Sequence, residues 1–312
     1  YMKNMNKLSM LLLTLAGASL TACNSGAGGS PTTTATATNM VNATESVPML
    51  LDNAGIKASG TIGVVVTAEG NLDYYMDDKF MGVKYHFEDT PHSVDLVSVN
   101  PLIIYVTTQA KLGGELKKCT VNASNKLVCA TIDRFQDYPV AAKFDEFGNG
   151  YAFSRGNISF VNRNSVTKYY HDSAVEVKRT GKFADDEYKG SMTLYDGGFY
   201  FPYGDIRKYN FDNNEVSVMD KNSDYNIVAF SLDDSLTGYG TTFSRDLVMI
   251  ENGKIIPKSL HKFEDFPDSI SVAGSSIYVG AEMELKRCIP SGWCQRIDTF
   301  NTAVKAISFK GY

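Results

Sequence analysis

Along most of this chain hydrophobic residues come in short runs of about five to seven, parted by clusters of Gly, Asn and Asp. The pattern is clearest between residues 185 and 224. There Ser191 to Tyr195, Phe199 to Tyr203, Ile206 to Phe211 and Glu215 to Met219 are separated by Asp196-Gly197-Gly198, Gly204-Asp205 and Asp212-Asn213-Asn214. Short apolar runs bounded by turn residues predict strands joined as a meander. No stretch carries a helical period over a dozen residues, so the expected class is all-β.

A punctuation segment recurs between the runs: Phe87-Glu88-Asp89-Thr90-Pro91, Phe135-Gln136-Asp137-Tyr138-Pro139 and Phe263-Glu264-Asp265-Phe266-Pro267. Weaker copies fall at Phe183-Ala184-Asp185 and Asp224-Tyr225-Asn226. The steps between the aspartates are then 48, 48, 39 and 41 residues, the length of a four-stranded propeller blade. Asp89, Asp137, Asp185, Asp224 and Asp265 could form a ring of carboxylates for a cation or a basic partner. The plainer expectation is that each builds the turn between blades by bonding its own backbone.

The ends of the chain predict how the ring closes. After Phe300 only one strand remains, Ala303 to Phe309, while three fit before Asp89: Thr61 to Thr67, Leu72 to Met76 and Val83 to Phe87. Val66 to Leu72 resembles Val279 to Leu285, which spans the second and third strands of a unit, so the N-terminal piece lacks a first strand. The C-terminal strand is expected to supply it. The expected fold is a six-bladed β-propeller of four-stranded antiparallel blades, with no long free sheet edge. Seven blades are the alternative and would need a degenerate blade between Asn162 and Lys182.

Five cysteines change the picture. Cys119 and Cys129 are symmetric about Ser124 in one predicted hairpin, and Cys288 and Cys294 flank Ile289 to Trp293 in another. Directly opposed antiparallel residues lie about 4.5–5.5 Å apart at Cα, within disulfide reach. The spacings and the lack of paired histidines do not suit zinc, so two hairpin disulfides are expected. The two hairpins also align as copies: Glu115 to Cys119 with Glu284 to Cys288, Cys129 to Phe135 with Cys294 to Phe300, and, upstream, Ile104-Tyr105-Val106 with Ile277-Tyr278-Val279.

The fifth cysteine belongs to the N-terminal region. Lys3 and Lys7 precede an apolar run from Leu8 to Leu20, too short to span a bilayer and typical of a secretory signal. Leu20-Thr21-Ala22-Cys23 resembles the lipobox of bacterial lipoproteins. That resemblance implies cleavage before Cys23 and acylation of it. Residues 2–22 then form the signal peptide, 23–48 a Gly, Ser, Thr and Ala-rich flexible tether, and 49–312 the propeller. Asn24 and Ser25, with no Asp beside the cysteine, favour the outer membrane by resemblance to Gram-negative sorting. The propeller would be periplasmic or surface-facing.

Cleavage removes Lys3 and Lys7, leaving 28 cationic against 35 acidic side chains, a net charge of −7. An acidic excess with no basic stripe argues against nucleic-acid binding. Phosphate-cradling glycine loops are absent as well.

Candidate chemistry is sparse. Asp145-Glu146-Phe147-Gly148-Asn149-Gly150-Tyr151 resembles the Asp-x-x-Gly-Asn-x-Tyr turn of NHL-type and gluconolactonase-type six-bladed propellers. Enzymes of that group hold calcium or zinc in the central channel, but no matching ligand set is assignable here. Asp95, Lys143 and Lys305 lie on predicted innermost strands and could charge the channel. His86, His92, His171 and His261 are scattered, and His86 and His261 occupy nearly equivalent scaffold positions. Trp293, the one tryptophan, sits in a disulfide-clamped loop, where it is either an exposed binding anchor or folded back on the neighbouring hairpin. The reading preferred is therefore a lipid-anchored envelope propeller that binds or scaffolds a protein or glycan partner, with no catalytic residue and no cofactor assigned. A metal-dependent propeller hydrolase or lactonase, with a divalent cation in the channel, is the alternative.

Overall fold

Among the residues that the computed structural model describes (60–110, 113–155, 164–180, 191–195, 197–220 and 225–312), twenty-four strands pair into six antiparallel sheets of four. The signal, the tether, Cys23, Asp185 and Asp224 lie outside these residues. The first blade is β4 (Thr90–Val99), β5 (Leu102–Gln109), β6 (Gly114–Val121) and β7 (Leu127–Phe135). The second is β8 (Tyr138–Phe144), β9 (Gly150–Arg155), β10 (Asn164–Tyr170) and β11 (Ser173–Thr180). Strands β10 and β11 occupy the interval a seventh blade would have needed, so the ring has six blades.

The third blade holds β12 (Thr193–Tyr195), β13 (Gly198–Tyr203), β14 (Asp205–Asn210) and β15 (Val216–Asp220). The fourth holds β16 (Ile227–Leu232), β17 (Gly238–Thr242), β18 (Asp246–Glu251) and β19 (Lys254–Lys262). The fifth holds β20 (Pro267–Ala273), β21 (Ser276–Ala281), β22 (Glu284–Cys288) and β23 (Cys294–Thr299).

The sixth sheet closes the ring, in the order β24 (Val304–Gly311), β1 (Thr61–Thr67), β2 (Asn71–Met76), β3 (Lys79–His86). As the sequence predicts, the last strand pairs antiparallel with the first, with Gly63 opposite Phe309 and Val65 opposite Ile307. Glycine at position 63 has a steric cause. A Cβ there would lie 2.0 Å from the Phe309 ring, which covers the backbone.

The punctuation segments are the joints between blades. Asp89 lies between β3 and β4, Asp137 between β7 and β8, and Asp265 between β19 and β20, all three in bends. Phe87 and Phe263 beside them are buried. Alternating side chains of each sheet pack towards its two neighbours. On β2, Leu72 and Tyr74 join the cluster shared with the first blade, while Tyr75 joins the one shared with the fifth.

Two seams are built alike. Between the first and second blades Tyr105 stacks on Phe144 at 4.0 Å and donates to Asp172, which also receives Lys118 at 2.6 Å. Between the fifth and closing blades Tyr278 stacks on Phe309 at 3.7 Å and donates to Asp78, which also receives Arg287. Asp172 and Asp78 both take the left-handed conformation, with φ of 61° and 64°. Returning across the same seams, Tyr169 donates to Asp133 at 2.6 Å and Tyr75 donates to Asp298 at 2.7 Å. Burial, then these bonds to carboxylates, raise both phenols' pKa values, so each stays a donor.

Candidate functional site

Strands β4, β8, β12, β16, β20 and β24 line a central channel with a cavity of about 540 Å³. The three charged residues predicted for innermost strands, Asp95, Lys143 and Lys305, all border it. Asp95 is 4% exposed and accepts the Phe144 backbone N–H at 3.1 Å, and the Lys143 ammonium pairs with its other oxygen. A buried carboxylate held by a backbone donor and a cation is satisfied. Its geometry is that of a clasp between β4 and β8.

Serines make the same clasp elsewhere around the channel. Ser191 accepts from Phe230 N–H, Ser231 from Val272 N–H, Ser271 from Phe309 N–H and Ser308 from Leu96 N–H, at 2.8–3.1 Å. Five of the six steps between innermost strands are tied in this way. At the sixth, from β8 to β12, the equivalent residue is Lys143, which cannot accept and turns back to Asp95. Asp95, Lys143 and Ser191 are 48 residues apart, the same step as the punctuation, so the belt had a sequence signal.

Among the described residues no group of three His, Cys, Asp or Glu side chains could hold a metal ion. Asp89, Asp137 and Asp265 stay apart in their separate joints. The histidines are not brought together either: His86 bonds Asn71 Oδ1 at 2.9 Å, His171 lies against the Phe147 carbonyl, and His261 packs on Phe263. His92 is partly buried and its pKa is lowered, first by desolvation.

Both expected disulfides are present. Cys119–Cys129 joins β6 to β7 and Cys288–Cys294 joins β22 to β23, each between residues directly opposed in register. Their Cα separations are 3.9 and 4.0 Å. The second clamps the loop of Trp293, which is 56% exposed, so the ring does not fold into the neighbouring hairpin. Gly292 seats that loop on the fourth blade. Its φ is +89°, and a Cβ would lie 2.0 Å from the Leu260 carbonyl oxygen.

The Asp145 to Tyr151 segment forms the β8–β9 turn. Asp145 Oδ1 accepts the N–H groups of Phe147 and Asn149, and its other oxygen accepts the Asn149 amide. Asp233 makes the same turn before β17, accepting from Ser235 and Thr237. The motif is thus a way of building a tight turn, which explains why it resembles other propellers locally.

No protein-family description matches the chain, and no curated protein matches it. Among solved structures it is similar to the WD40 β-propeller domain of Doa1, at TM-score 0.53 and 12% identity over 79% of this chain and 81% of that one. At that identity the likeness speaks for the fold alone. Other matches are a functionally unknown protein from Desulfotomaculum acetoxidans DSM 771, at TM-score 0.49 and 11% identity over 78% and 80% of the two chains, and streptogramin B lyase, at 0.46 and 13% over 70% and 72%. No helix among the described residues is long and apolar enough to cross a membrane.

Proposed function

We propose that this chain is an envelope lipoprotein whose propeller is a binding or scaffolding module, held to the outer membrane through acylated Cys23 and presenting the Trp293 loop to a protein or glycan partner. The observation that carries this reading is Trp293 itself, 56% exposed on a loop closed by Cys288–Cys294. An aromatic held in place by a covalent clamp and by Gly292 loses little freedom on binding, and Trp is the residue type most often found to anchor interfaces. In the channel, the carboxylate predicted for an innermost strand, Asp95, is committed to Lys143 and Phe144.

Trp293 is the only tryptophan, so its emission reports the loop without labelling. Titrating envelope glycan fragments should give a saturable emission shift in the wild type, and calorimetric binding of the same fragments, or the protein crosslinked in intact membranes, should be lost in the Trp293→Ala variant. Identical glycan binding and crosslinks in wild type and variant would sink the role of the loop. For the anchor, Cys23→Ser should abolish incorporation of labelled fatty acid, and incorporation unchanged by the substitution would remove the lipoprotein reading.

A further inference from the structure

Where the closing blade meets the fifth, a pocket of about 210 Å³ opens between the β1–β2 turn, β2, β3 and the end of β23. Asp73 of β2 lines it and is 5% exposed, and its Oδ1 is buried with no hydrogen-bond partner among the described residues. The hydroxyl of Thr67, beside it in the lining, is likewise buried and unpartnered. Asp298 comes from across the seam and Glu69 from the β1–β2 turn, while Phe80 and Val83, 50% and 39% exposed, supply an apolar wall. Among the described residues no Lys, Arg or His side chain lines the pocket.

The matching seam between the first and second blades lacks this carboxylate. In the closing blade Tyr75 stands opposite Gly63 and Asp73 opposite Val65; in the second blade Tyr169 stands opposite Gly150 and Thr167 opposite Ala152. Tyr75 and Tyr169 make the equivalent bonds to Asp298 and Asp133. Asp73 therefore occupies the place of Thr167, and the propeller builds this seam without needing an acid there. A buried carboxylate beside two others, with one oxygen bonded to nothing, opposes folding. Burial, then the charges of Asp298 and Glu69, push its pKa up to about 7.

We propose that this seam pocket binds an alkyl cation, with Asp73 and Asp298 receiving an ammonium or guanidinium head and Phe80 and Val83 covering its aliphatic stem. A bare metal ion fits less well. Among the described residues no three acidic, His or Cys side chains gather closely enough to ligate one. The volume also equals that of several waters at about 30 Å³ each, and an apolar wall offers nothing to an ion but shelters methylene groups.

The test is calorimetric titration of the full-length protein in an amine-free buffer with agmatine, with an acetyl-Gly-Arg-Gly-amide peptide and with calcium chloride. The variant is Asp73→Thr, which installs the residue the second blade already carries. Wild type should bind agmatine or the peptide saturably at pH 8. Affinity should fall about tenfold at pH 6, because a protonated Asp73 no longer attracts the cation; the other titratable groups facing it are Glu69 and Asp298, the latter bonded to the Tyr75 hydroxyl. Asp73→Thr should weaken binding at least tenfold at pH 8 while keeping the wild-type circular dichroism spectrum. Peptide binding alone assigns the head to a protein side chain, and agmatine binding alone to a free amine. Absence of saturable binding of either, equal binding by Asp73→Thr, or binding of calcium alone overturns the proposal.

Discussion

Asp73 is the residue at which folding and binding pull hardest against each other. Its carboxyl pKa is raised to about 7, by burial first and then by Asp298 and Glu69. With the folded pKa above the unfolded value near 3.9, the native state holds its proton more tightly. Stability is therefore greatest below about pH 4 as far as this group is concerned, and declines as pH rises towards 7. The rise to about 7 corresponds to roughly 4 kcal/mol. Urea unfolding at pH 4, 6 and 8 should show wild type losing a few kcal/mol relative to Asp73→Thr across that interval, and parallel curves would contradict it. Gly292 makes a second prediction at this scale. In Gly292→Ala the left-handed backbone and the clash with Leu260 should destabilise the loop by about 1–3 kcal/mol, visible as a shift in Trp293 emission without loss of overall β-structure.

At the scale of strands and seams, the molecule repeats interactions as well as strands. Tyr105 with Lys118 and Asp172, and Tyr278 with Arg287 and Asp78, are one device used twice. Tyr105→Phe and Tyr278→Phe should each cost about 1–3 kcal/mol, the value of a hydrogen bond to a charged group, and should cost nearly the same in urea unfolding. A difference above about 1 kcal/mol would mean that the two seams carry unequal loads. Half of this device was readable beforehand: the alignment of the cysteine hairpins superimposes Tyr105 on Tyr278, Lys118 on Arg287 and Asp133 on Asp298. Asp172 and Asp78 were not, because they lie outside the aligned hairpins, in two-residue turns of the neighbouring blades, and the spacing they share, Tyr169-x-x-Asp172 and Tyr75-x-x-Asp78, is too short to stand out before the seams are known. The serine belt was legible in principle, since its spacing follows the punctuation. The Asp73 pocket was not, because nothing in the order of residues says which face of β2 meets β23 until the ring is closed. Asp185 and Asp224, the weaker punctuation copies, lie outside the described residues.

For the whole molecule, closure rests on eight residues at the very end of the sequence. Val304, Ile307 and Phe309 of β24 are at most 6% exposed. At about 1.5–3 kcal/mol each, their removal costs as much as the entire stability of a typical domain. A chain truncated after Thr302 should thus fail to give a cooperative thermal transition, and a well-folded truncated protein would overturn the view of β24 as the lock. In the closed ring the backbone N–H of Tyr312 donates to the carbonyl of Gly60 at 3.1 Å, so the last residue touches the point where the described chain begins. Synthesis order then becomes part of the design. Among the described strands β1 is made first, and it waits beside an empty place until β24 has emerged from the ribosome, so the ring cannot lock before then. Until that strand is made, the propeller remains an open, threadable chain.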